Sequence, residues 1–127
     1  MKKLFAITTI MLLAVGSYAQ VAKMEGNNES LNKMMEAGYI EYTIPSDVTV
    51  EQVEKSAQYY TEYFSVQFDE NASKVKFNFV NPNDNFAKMV VNRFLSSIEV
   101  SKIEFEGKEY FIQEFYENFL NSDPENK

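Results

Sequence analysis

Few residues in this chain are equipped for chemistry. Its 127 residues include no histidine and no cysteine. The commonest general base, the commonest transition-metal ligand and the thiolate nucleophile are therefore missing, and so is the partner that activates a serine. Only four glycines are present, too few to assemble a phosphate-cradling loop. Catalysis would have to rest on carboxylates, lysine, tyrosine or arginine. Asp69 and Glu70 form a carboxylate pair of the kind glycoside hydrolysis uses, but they are adjacent in a turn, where solvated residues belong. Asn81, Asn83, Asp84 and Asn85 concentrate oxygen ligands. A calcium loop starting at Asn81 would need glycine at its sixth position and glutamate at its twelfth, and those positions hold Phe86 and Asn92. Met24, Met34 and Met35 offer soft sulfur that Cu(I) would accept, yet without the close repetition of a copper site. Ordinary apolar contacts account for them. The reading assigns no catalytic, metal-binding or cofactor-binding residue, and no enzyme activity.

Aromatic side chains are the remaining resource, at 15% of the chain. Tyr59 and Tyr63, spaced i, i+4, and Phe111 with Tyr116 are the candidates for an interaction surface. Such rings combine an apolar body with a polar tip suited to protein or glycan.

The elements that would position them follow from periodicity. Residues 1–19 have the three parts of a cleaved secretory signal: Lys2 and Lys3, an apolar run from Leu4 to Val15, and small residues at Ser17 and Ala19. The apolar run is too short to span a bilayer, so no stable membrane insertion is expected after cleavage. Export to the periplasm or beyond the cell follows. Residues 20–38 are polar around Gly26-Asn27-Asn28 and read as a flexible leader, with Ser30 capping a short helix through Ala37. A single domain is expected over residues 39–121, followed by a disordered tail over 122–127.

Within that domain, Tyr39 to Ile44 alternates as a strand and stops at Pro45. Thr49 and Gln52 form a capping box that opens a helix from Val50 to about Tyr63. Phe64–Asp69 and Lys74–Val80 alternate with period two and read as a hairpin, with Asn71 suited to a left-handed turn position. Asn83 or Asp84 caps a helix to about Ser97. A strand from Val100 to Glu106 then turns at Gly107-Lys108 into a short return strand, Glu109 to Phe111. Ile112, Phe115, Tyr116, Phe119 and Leu120 fall at helical spacing and define a last helix. The order is that of an α+β, ferredoxin-like βαββαβ antiparallel sheet with helices on one face, plus the return strand and a C-terminal helix. The opposite, wet face is expected to carry Glu41, Thr43, Ser65, Gln67, Lys74, Lys76, Asn78, Lys102 and Glu104, with no aromatic among them.

With the stretch VEQVEK (Val50 to Lys55) opening the first helix, residues from Tyr39 to Glu106 resemble a heavy-metal-associated domain of the copper-chaperone type. The resemblance implies a soft-metal site in the loop before that helix, built from C-x-x-C. Here that loop is Pro45-Ser46-Asp47-Val48-Thr49, without cysteine, so no metal role carries over.

The formal net charge is −7, more negative still once Lys2 and Lys3 are removed. Together with the non-aromatic wet face, this opposes nucleic-acid binding. Two functions remain. One is a non-catalytic exported binding or protein-interaction module, with the open edge strand Phe64–Asp69 able to pair with a client strand or form a homodimer. The alternative is a small-molecule carrier, or a degenerate metallochaperone-like domain, with a cavity lined by Phe94, Phe111 and Phe115.

Overall fold

The computed structural model describes residues 20–121. The expected signal and the expected C-terminal tail lie outside the described residues. The described chain is α+β: a six-stranded mixed sheet and four helices. In chain order these are β1 (Gln20–Met24), α1 (Asn28–Ala37), β2 (Tyr39–Thr43), α2 (Val50–Ala57), β3 (Phe64–Asp69), β4 (Lys74–Phe79), α3 (Asn85–Ser97), β5 (Val100–Phe105), β6 (Lys108–Phe111) and α4 (Ile112–Phe115). A 3-10 turn, Gln58–Tyr60, extends α2, and a π turn, Tyr116–Leu120, extends α4.

The strands lie in the order β3-β4-β2-β1-β5-β6. Five residues expected in a flexible leader thus form an interior strand. β1 runs parallel to β5 over Gln20 to Met24 and antiparallel to β2, where Lys23 faces Thr43. The cause is burial: Ala22 and Met24 alternate with Lys23 and lie fully inside, so a short, partly polar segment gains a sheet position by filling the space between β2 and β5. The rest of the expected leader is also ordered. Asn27 caps α1, and Ser30 answers from the third helical position; Ser30 itself is not the cap. Gly38, at φ 95°, ends the helix in the left-handed conformation.

Elsewhere the local chemistry acts as its residue types require. Thr49 accepts from the Gln52 N–H while the Gln52 side chain accepts from the Thr49 N–H, which starts α2. Asp84 accepts from the N–H groups of Phe86 and Ala87 to start α3. In the β3–β4 turn the left-handed residue is Ser73, at φ 55°, instead of Asn71. The Asp69 carboxylate, accepting from the N–H groups of Asn71 and Ala72, winds the turn so that the reversal falls two residues later. Glu106 and Gly107 both have positive φ, the two-residue turn that matches strand twist between β5 and β6.

One face of the sheet carries the core. Ile40, Tyr42, Val75, Phe77, Ile103 and Phe105 are buried there beneath α2, α3 and α4. Phe77 is the hub. Its ring meets those of Tyr42, Phe64 and Phe94 at centroid distances of 6.2, 5.1 and 5.0 Å, each edge to face. Such geometry adds to area burial because ring edges and faces carry opposite partial charge. Beneath α4, Phe115 packs on Phe105 and Tyr42 in the same manner.

Candidate interaction edge

The four aromatic candidates separate. Tyr59 is 73% exposed on the turn after α2, and Phe111 is 56% exposed at the end of β6. Tyr63 is half-buried and meets Phe86 edge to face at 5.6 Å. Tyr116 is 5% exposed, its hydroxyl donating to the Asn85 carbonyl at 3.3 Å. It belongs to the core, because the π turn swings it inward against α3. No shared patch forms from the four: Phe111 lies on the polar sheet face, and Tyr59 lies on the helical side.

The cavity expected between Phe94, Phe111 and Phe115 is not assembled from these residues. Phe94 and Phe115 are fully buried in ring-to-ring packing. Phe111 points to the opposite face, where it stands opposite Lys102 with the ammonium 5.2 Å from its ring centre.

That polar face is as expected in its charged residues but does carry aromatics. Tyr39 sits on it with the Lys76 ammonium 4.2 Å over its ring, and Phe111 occupies the far corner. The alternation that buries Ile40 necessarily turns Tyr39 outward. Charges on this face are largely matched. Lys74 pairs with Glu25 at 3.6 Å and Lys102 with Glu109 at 3.9 Å, and the Asn78 amide donates to Gln67. At one end Gln20, Pro45, Asp47 and Lys102 border a recess of about 700 Å³. Its Gln20 amide nitrogen donates to Asp47 and its Lys102 pairs with Glu109, while the Gln20 side-chain oxygen is buried without a partner among the described residues.

The two sheet edges differ. β6 is four residues long and presents Lys108 and Glu109, the charged and short form in which natural sheets blunt an edge. β3 has six residues, no lysine, no proline and an unbroken register with β4. The direction of its backbone groups follows from two bonds on β4. The Phe79 N–H donates to Gly38, toward β2, and the Val80 N–H donates to Tyr63, toward the β3 side. Alternation then turns Asn78, Lys76 and Lys74 toward β3, so their partners Ser65, Gln67 and Asp69 face inward. The N–H and C=O groups of Phe64, Val66 and Phe68 point away from β4; Phe64 is 1% exposed and covered, so the ladder is open at Val66 and Phe68. Among the described residues, no other strand or loop hydrogen-bonds to them.

Beside this edge lies a groove of about 370 Å³, walled by Glu54, Ala57, Gln58 and Thr61 and floored by Phe64 and Val66. Val66 and Phe68 are only half-buried, leaving apolar surface along the open ladder. The charges around it are negative. Glu54, Glu62, Asp69 and Glu70 are exposed, and none of them is ion-paired among the described residues. The sequence had marked Phe64–Asp69 as an edge; the groove was not visible in it, because its walls come from a helix whose overhang only packing defines.

No family model matches the chain, and neither the curated proteins nor the solved structures compared with it give a match. Among the described residues, no helix is long and apolar enough to cross a membrane.

Proposed function

We propose that this protein is a non-catalytic, exported interaction module that captures an extended polypeptide segment by strand addition along β3. The observation that carries the reading is the pair of outward, accessible N–H and C=O sets at Val66 and Phe68, beside an apolar groove. Main-chain pairing supplies affinity in such a site, and the groove selects alternate side chains. β3 lacks the lysine, proline or bulge that keeps sheet edges from pairing, while β6 at the other end is short and charged.

The topology is consistent with a ferredoxin-like plan carrying two added strands, β1 and β6. β2-α2-β3-β4-α3-β5 follows the expected element order, β4 lies beside β2, and β1 is inserted where the first and last strands of that plan would meet. Under this reading the likeness to metal-binding domains is one of scaffold alone.

The test is selection of displayed random heptapeptides on the protein, followed by backbone amide exchange with and without the selected peptide. Recovered peptides should alternate apolar and polar residues. Binding should slow exchange at Val66 and Phe68. Peptides that bind while leaving those two amides unprotected would refute strand addition.

A further inference from the structure

Resting on the strand-capture reading above, we infer that the segment received by β3 is cationic, with the pattern basic-apolar-x-apolar-x-apolar in antiparallel alignment. The register of the existing ladder fixes this pattern. Residues directly opposite one another point to the same sheet face, so partner residues opposite Phe64, Val66 and Phe68 would turn toward the groove under α2. Those opposite Ser65 and Gln67 would turn to the polar face. The residue opposite Asp69 would meet an exposed carboxylate on that face. In an antiparallel partner that residue comes first.

Charge selects the sign. Asp69 stands at one end of the edge with Glu70 next to it, Glu62 lies just before the other end, and Glu54 forms the groove wall. β3 itself carries no cation, and none of these carboxylates has an ion-pair partner among the described residues. Lys74 stands opposite Asp69 on β4 but is held by Glu25 at 3.6 Å, so a partner bearing lysine or arginine still meets net negative charge, whereas an acidic partner meets repulsion. The same field disfavours a second copy of this chain, whose formal charge is −7. In a two-fold pairing centred on Val66, it would also set Glu62 against Glu70 of the other copy. The acidic rim therefore guards the edge against self-association while leaving it open to a basic strand, the role that lysine plays on other edges.

The probes are two acetylated hexapeptides, Lys-Val-Thr-Val-Thr-Val and the same peptide with glutamate first, titrated against the protein by calorimetry or chemical-shift perturbation. The lysine peptide should bind at least about tenfold more tightly at low salt, and the difference should shrink toward none at about 1 M salt, where screening acts within a few ångströms. Asp69→Asn should weaken the lysine peptide about two- to fivefold, the size of an exposed ion pair, while Glu54→Gln, on the groove side away from that lysine, should weaken it less. Val66→Pro should abolish binding of both. Equal binding of the two peptides would overturn the cationic preference but leave strand capture standing. Binding that Val66→Pro does not touch would overturn both. No binding by either peptide would overturn the inference, with the displayed-peptide selection then deciding strand capture separately. A dimer in native mass spectrometry that Val66→Pro dissociates would identify the occupant as a second copy and overturn it as well.

Discussion

Proline placed at neighbouring positions of β3 should have opposite severities, and the difference measures the ladder's phase without any ligand. The Val66 N–H points out of the sheet, so Val66→Pro removes no bond to β4. Its cost comes from shifting φ toward −65° and from losing part of a half-buried valine, together about 1–2 kcal/mol. The Gln67 N–H points to Lys76. Gln67→Pro deletes that ladder bond and drives a ring against β4, and it removes the side-chain acceptor used by Asn78 at 3.1 Å. The sum is about 3–5 kcal/mol. For a domain of this size each kcal/mol moves Tm by about 4–8 °C, so a difference of about 1–4 kcal/mol separates the two variants by at least about 4 °C and, at mid-range, about 15 °C. Urea denaturation followed by far-UV circular dichroism reads both. A Val66→Pro protein as unstable as Gln67→Pro, or more so, would show that the outward groups are those of Ser65 and Gln67, and the edge argument would fail.

Further outcomes follow from the packing. Phe77→Ala should cost about 3–5 kcal/mol, since it opens a cavity where three rings converge; chemical denaturation checks this. Tyr59→Ala should change stability by less than about 0.5 kcal/mol while Tyr116→Ala costs several, which separates the exposed candidate from the buried one in one thermal scan each. Tyr42 is buried with no partner for its hydroxyl among the described residues, and burial pushes its ionisation well above the ordinary 10.0. Tyr42→Phe should therefore stabilise by about 1 kcal/mol at neutral pH. The neutral phenol is kept in the folded state while the unfolded chain ionises near pH 10, so wild-type stability should fall from about pH 10 upward relative to the phenylalanine variant. Urea titrations at pH 7 and at pH 10.5 test both the gain and its sign.

The hairpin was legible because Val75, Phe77 and Phe79 alternate without interruption, and α2 because Thr49 and Gln52 stand at capping spacing. Both signals are local. β1 was not legible: Gln20, Lys23 and the following Gly26-Asn27-Asn28 look like loop, and what makes the segment a strand is pairing with β5 at the far end of the chain. The helical spacing at Ile112 to Leu120 was read as one helix. The structure winds its second half as a π turn, a difference of hydrogen-bond register that side-chain spacing does not encode. Of the four aromatics expected to form one surface, Tyr59 and Phe111 are exposed, Tyr63 is half-buried and Tyr116 is inside, because the same period-3.6 stripe serves equally as core. The groove depends on where α2 lies across β3, which no single segment specifies.

The position of β1 also sets the order of events as the chain folds. The β3–β4 hairpin closes over a four-residue turn and can form as soon as it exists. β1 is the first described strand, yet its main partner begins at Val100, so closing that pairing requires a loop of about eighty residues. Nothing inside the hairpin can substitute for it, because the gap between β2 and β5 is filled from the N-terminal end. A chain growing from its N-terminus therefore remains an open sheet until nearly all of it has been made. A central strand completed last makes closure of the sheet a late step that waits on β5.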